Sequence, residues 1–283
     1  MRNTFFIFLL LIIFVGCKSI AFPYFYDTEN DSLPYFETPM CDNNGNNFID
    51  GKLKFGIDTG APQTLLVKLG LEHLFGSIED YYNWCRENNY ELSDTAPVIM
   101  LGNINLYFGK YLLNPQFECR ENDVFDDFAG IIGWDVLKKI GLVMIDFKKN
   151  RIIAGGKKIK KNLLPLKTKS FDDGLGVGEY LFIPVEIDGK SYDVMIDTGA
   201  CTKGIPAIIL CNASNFCDNV TVKIGSEKYN DVTVTYMKDG ELNDKKLATH
   251  YESFFGNTII IGNAFFQNHR IQLDFENMQF AMD

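Results

Sequence analysis

Hydrophobic and polar positions along this chain of 283 residues fall mostly into short apolar or alternating runs. Positions 98–101, 104–108, 181–187, 220–224 and 232–236 are built of aliphatic, β-branched and aromatic residues, most of them bounded by Gly, Asn, Asp or Pro. Each predicts a strand. Helical spacing is confined to 63–75, 78–88 and 134–140, where apolar residues recur every three to four positions. The pattern predicts an all-β protein with a few short helices.

The first apolar run is of another kind. Arg2 is followed by unbroken apolar residues over 5–15, ending at Gly16-Cys17. A membrane-spanning helix needs about 20 such residues, and a shorter run after a basic residue has the form of a secretory signal, here 1–16. Phe14-Val15-Gly16-Cys17 resembles the bacterial lipoprotein signal. The resemblance implies that Cys17 is lipidated, and that the protein is exported and tied to a membrane of the bacterial cell envelope. An ordinary signal peptide would give a secreted protein instead. Residues 17–47 are rich in Asn, Asp, Pro and aromatics without a stable period, and are expected to be an anchor tether that becomes ordered near its end.

Beyond the tether the chain repeats itself. Ile49-Asp50-Gly51-Lys52 precedes Phe55-Gly56-Ile57-Asp58-Thr59-Gly60-Ala61, and Ile187-Asp188-Gly189-Lys190 precedes Val194-Met195-Ile196-Asp197-Thr198-Gly199-Ala200. Downstream, Gly130-Ile131-Ile132-Gly133 with Ile145-Asp146-Phe147 echoes Ile259-Ile260-Ile261-Gly262 with Leu273-Asp274-Phe275. Order is kept while the spacing drifts, as in duplicated units whose loops have changed length. Two similar lobes are expected, 48–160 and 165–283.

The formal net charge is −10, and an acidic field of this kind argues against nucleic acid as a partner. One stretch runs against it: Lys148, Lys149, Arg151, Lys157, Lys158, Lys160 and Lys161, broken by Gly155-Gly156. Its glycines and charge read as a solvated connection between the lobes, with a face for anionic lipid headgroups as the alternative. Of seven cysteines, six remain once Cys17 is set aside. An exported chain permits disulfides among Cys41, Cys85, Cys119, Cys201, Cys211 and Cys217, with 15 connectivities open. Cys201, Cys211 and Cys217 have neither a close Cys-x-x-Cys pair nor a nearby His, so no metal is expected.

The repeated Asp-Thr-Gly-Ala turns point to chemistry. Hydrolysis of a peptide bond needs a base that takes a proton from water and an acid that protonates the carbonyl oxygen. Two carboxylates in contact cannot both ionise cheaply, so such a pair holds one proton and supplies both functions. Two lobes, each offering one Asp on a turn, are a source of the pair, here Asp58 and Asp197. Thr59 and Thr198 have hydroxyls able to reach backbone across the two loops, and Gly60 and Gly199 let backbone come close to the carboxylates. As plain structure, each motif would be a turn with Asp as cap and Gly at positive φ.

These residues, with the apolar-Gly segments downstream, resemble the aspartic peptidases of the pepsin and retropepsin type over most of 48–283. The resemblance implies a bilobed fold of two similar β-barrel-like lobes with a cleft between them. It implies Asp58 and Asp197 as the catalytic dyad, and Thr59, Gly60, Thr198 and Gly199 as its supporting residues. It further implies a nucleophilic water, no cofactor, a monomer, and a peptide or protein substrate held extended in the cleft. The family's covering hairpin is not assigned, because the chain enters the helical segments 63–75 and 78–88 where that hairpin would be sought. A peptide-binding protein on the same fold, without turnover, is the alternative from another class. A different hydrolase has little support, since His73, His250 and His269 lie in no hydrolase signature.

Overall fold

The apolar strand Leu53–Ile57 lies between antiparallel Tyr35–Thr38 and parallel Gly130–Ile132. The computed structural model describes residues 20–23, 34–48, 50–90, 99–108, 111–119, 127–172, 177–200, 208–210, 219–236 and 258–283. Within it the same arrangement recurs: Lys190–Asp197 lies between antiparallel Val177–Ile187 and parallel Ile259–Gly262. Each inner strand also takes a short antiparallel neighbour, Leu65–Leu66 in the first half and Ile208–Leu210 in the second. Both inner strands are buried along their whole length, which is why they read as continuous apolar runs rather than as alternation.

The halves differ in how they make the first hairpin. In the second, Asp188 (φ 48°) and Gly189 (φ 78°) form a two-residue turn in the left-handed region, the geometry that matches strand twist. In the first, the connection is longer and carries Met40–Cys41, which pairs with Asn105–Phe108 and through it with Tyr111–Leu113 in a separate three-stranded sheet.

The chain is mostly β, as its pattern predicts. Helices Lys68–Phe75, Ile78–Glu87 and Trp134–Ile140 occupy the predicted segments, and Asn263–Phe266 adds a short one. The first starts later than its periodicity suggests, because Leu65–Leu66 pairs with Gly130–Ile131 and with Glu118–Cys119. Ser77 caps the second by accepting from the Asp80 N–H at 3.1 Å. The helices bury Leu71, Tyr81 and Cys85 in the core, with Leu74, Tyr82 and Trp84 packed against it.

Two expectations need correction. The segment 17–47 is ordered beyond its end: Tyr35–Thr38 and Met40–Cys41 are strands where order was expected, and Ile20–Pro23, near its start, is a strand as well, the three pairing in different sheets. Their short apolar and aromatic stretches lacked a period because each spans four residues or fewer. The lobes are also not closed barrels. Among the described residues the first-half sheet runs from Tyr35–Thr38 at one edge to Ile99–Leu101 at the other without closing. In the second half only Glu186 and Ile187 meet Lys223 and Val222, which curls the sheet without a continuous seam.

The halves are joined by a six-stranded sheet in the order Ile20–Pro23, Arg151–Ala154, Leu142–Asp146, Arg270–Asp274, Gln279–Met282 and Leu164–Pro165. At its centre Leu142 faces Asp274, Met144 faces Gln272 and Asp146 faces Arg270. Exchanging the two strands reproduces the same register, so a pseudo-twofold axis passes through the Met144–Gln272 pair. Among the described residues no helix is long and apolar enough to cross a membrane.

Candidate active site

The parallel pairing of the two halves ends one step apart. Ile57 lies opposite Ile132 as the last pair of the first half, and in the second the ladder runs through Ile196 opposite Ile261 to Asp197 opposite Gly262, so Asp58 directly follows its strand and Asp197 is the last residue of its own, each beside a fully buried inner strand. Rigid strands thus present both carboxyls from turns whose ends are fixed, the Asp58 N–H donating to the Ile132 carbonyl at 3.0 Å.

Each turn is closed by its own aspartate. Asp58 Oδ1 accepts from the Gly60 N–H at 2.7 Å. Asp197 Oδ1 accepts from the Gly199 N–H at 2.7 Å and the Ala200 N–H at 2.9 Å. The glycines then lie against the opposite carboxyl: a Cβ on Gly60 would overlap the Asp197 carboxyl group, and one on Gly199 that of Asp58. Only glycine permits this mutual approach.

The turns are locked by their threonines, both fully buried. The Thr59 N–H donates to Thr198 Oγ1 and the Thr198 N–H to Thr59 Oγ1, each at 3.0 Å. Each hydroxyl passes its own proton across the axis, Thr59 to the Ile196 carbonyl at 3.0 Å and Thr198 to the Ile57 carbonyl at 2.9 Å. Four crossed bonds fix the two halves at this point, and every donor and acceptor in the set is paired.

The two carboxyls face each other closely enough to share a hydrogen bond and one proton. Burial raises the Asp58 pKa above the ordinary carboxylate range, opposed by the bonds from Asp197 and the backbone N–H groups of Gly60, Ala61 and Gly199. Asp197 is pushed well above it by burial, then by the Asp58 charge and its hydrogen bond with Asp58. The pair therefore keeps one proton where free carboxylates have lost theirs. Asp197 is 7% exposed, while Asp58 is half-buried.

All six residues singled out around the turns, Asp58, Thr59, Gly60, Asp197, Thr198 and Gly199, are thus brought together. Cys17 and the segment 1–16 lie outside the described residues, as do Cys201, Cys211 and Cys217. Cys41, Cys85 and Cys119 are buried free thiols. Among the described residues no three His, Cys, Asp or Glu side chains gather as a metal ion would require.

The sequence did not point to Thr64 and Asp135. The buried Thr64 hydroxyl accepts from the Gly133 N–H at 3.1 Å and donates to Asp135 Oδ1 at 2.8 Å, tying the strand after the first turn to the helix behind it. Burial raises the Asp135 pKa, and the Thr64 bond opposes the rise. The repeat offers no signal for this pair, since Ala264 stands two residues after Gly262 where Asp135 stands two after Gly133. Trp134 is a second such residue: its indole N–H donates to the Glu179 carbonyl at 2.8 Å, and its ring stacks on Phe275, both in the other half.

No protein-family model and no curated protein matches the chain.

Proposed function

We propose that the protein is an aspartic endopeptidase with a bilobed, pepsin- or retropepsin-like fold, acting in the bacterial cell envelope. The observation that carries this reading is the close approach of the Asp58 and Asp197 carboxyls on two symmetry-related Asp-Thr-Gly turns crossed by Thr59 and Thr198. A binding site for peptide has no need of two carboxyls forced together at the cost of burial.

In the reaction, the Asp58 carboxylate takes a proton from a water molecule as its oxygen attacks the scissile carbonyl carbon. Asp197 gives its proton to the carbonyl oxygen, so the tetrahedral diol forms without free charge. Collapse of the diol breaks the C–N bond. The leaving amine takes the proton held by Asp58, one diol hydroxyl returns a proton to Asp197, and the pair ends with one proton as it began. The substrate is a peptide held extended between the halves, and no cofactor takes part. The turn geometry contributes by holding both carboxyls in place before substrate arrives.

The test is digestion of a mixed peptide library by the purified protein and by Asp58→Asn. Products formed by the wild type and absent with the variant support the assignment. A wild type that yields no products, or yields the same products as the variant, refutes it.

A further inference from the structure

We propose that the strap 155–163, lying on the outer face of the inter-half sheet, is a membrane-contact surface that sets this face on an anionic lipid bilayer. The orientation rests on the reading of Cys17 as a lipidated anchor.

The face is fixed by strand alternation. Val143, Ile145, Ile152, Ile271, Leu273 and Phe280 belong to the main core, together with Ile57 and Ile196, the residues that precede the two aspartates. The intervening Met144, Ile153 and Ala281 form a separate cluster with Ile159 of the strap. Successive strand residues point to opposite faces, so the strap covers the face turned away from the dyad-bearing strands.

The strap is held down at three points. The Ile159 N–H donates to Gln272 Oε1 at 2.6 Å, Lys158 pairs with Asp274 at 2.6 Å, and Asn162 meets Glu227 at 3.2 Å. These contacts use the inward groups and leave Lys157, Lys160 and Lys161 exposed, with no ion pair to any described residue. Leu163, which follows them, is 44% exposed, one of the few large apolar side chains exposed among the described residues. From 148 to 161 the chain carries seven Lys and Arg and no acid, in a protein of net charge −10. An anionic surface therefore attracts this strip while repelling the rest of the molecule, which makes the strip an orienting device.

The N-terminal strand supplies the second, independent observation. Ile20–Pro23 pairs antiparallel with Arg151–Ala154, with Ile20 opposite Ala154. The chain thus enters the sheet at the end where the strap leaves it at Gly155. Cys17 is three residues before Ile20, a distance of at most about 11 Å when fully extended. A lipid on Cys17 would bring the bilayer to this end of the sheet, within reach of the three lysines, and Leu163 suits the headgroup boundary. The acyl chains of a lipidated Cys17 would hold the protein on the bilayer, and the basic, partly apolar face would orient it there.

The experiment uses the full chain carrying Cys17→Ser, which removes the lipid, sedimented with phosphatidylcholine vesicles with and without phosphatidylglycerol. The expected result is binding to the anionic vesicles, weakened by salt. It should fall by roughly a hundredfold in Lys157→Gln/Lys160→Gln/Lys161→Gln, at about fivefold per lysine. That variant should retain the melting temperature and peptide cleavage of its parent, which excludes misfolding as the cause. Equal binding to both vesicles, or anionic binding untouched by the triple change, overturns the proposal. So does capture by a soluble polyanion without capture by anionic vesicles, which would assign the lysines to a partner other than lipid. The mass of the N-terminal peptide of the wild type separates the two readings. An unmodified Cys17 with lysine-dependent vesicle binding would leave the face standing and remove the anchor.

Discussion

Thr59 and Thr198 are bound to each other by two equivalent hydrogen bonds, the amide of each donating to the hydroxyl of the other at 3.0 Å. Residues 139 apart in sequence are thereby made one structural unit, and the positions of Asp58 and Asp197 depend on both halves at once.

Asp58→Asn and Asp197→Asn are each expected to lower kcat/KM for a cleavable peptide by on the order of 10^4-fold, with the double variant scarcely worse than either single one. Residues that act as a unit lose their contribution when one is lost. Steady-state kinetics on the three variants decides it, and additive losses would mean that the carboxyls act separately.

The raised pKa values give stability a pH dependence of defined sign. A carboxyl whose folded pKa lies above its unfolded value of about 3.9 binds more protons folded than unfolded, so its contribution is lost as pH rises through that interval. At neutral pH the wild type folds against ionisation of the pair. Asp197→Asn is therefore expected to melt above the wild type at pH 7, with the difference shrinking toward pH 4. A difference that grows on acidification would contradict the directions given for Asp58 and Asp197.

Activity should follow a bell-shaped pH profile. The acid limb marks entry of a second proton, and the alkaline limb marks loss of the shared one. Because burial and the Asp58 charge hold the Asp197 proton, the alkaline limb should lie above the range of a free carboxylate. A profile of kcat/KM against pH reads both limbs.

Thr59→Val and Thr198→Val keep the shape and delete the hydroxyl, leaving the opposite amide and a carbonyl unpaired in a buried site. Each should cost about 1 to 3 kcal/mol of stability. The Ser variants should recover most of it, and the measurement is denaturant unfolding alongside peptide cleavage. Valine variants that unfold and cleave like wild type would reduce these residues to ordinary turn positions.

Gly60→Ala and Gly199→Ala place a methyl group where the opposite carboxyl stands. Both should abolish cleavage. If backbone shift absorbs the methyl group and activity persists, the close approach is not required for catalysis.

The inner strands, the turns and the approximate helices were legible in the sequence because each is a local pattern. A buried parallel strand is a continuous apolar run, and Asp-Thr-Gly-Ala occurs twice in matching context. The N-terminal strands were not legible, since four residues such as Ile20–Pro23 acquire meaning only from the Arg151–Ala154 edge they cover. Thr64, Asp135 and Trp134 escaped for a different reason. Their bonds join segments far apart in the chain, and the second half has no counterpart with which to compare them. The roles of Thr59 and Thr198 lay between these cases: the repeat singled them out, while the direction of each bond came from the turn geometry.

The register of the central sheet bears on dilution. Strands Leu142–Asp146 and Arg270–Asp274 meet as two copies of one element would meet across a dimer axis, with Met144 and Gln272 at the centre. Were the halves separate molecules, the site would assemble by a second-order encounter and vanish as concentration fell. Here a covalent link holds the partners at millimolar effective concentration, so assembly becomes a step of folding. The cleavage we propose should then stay first order in protein however sparse the molecules are, each lone molecule carrying a complete site.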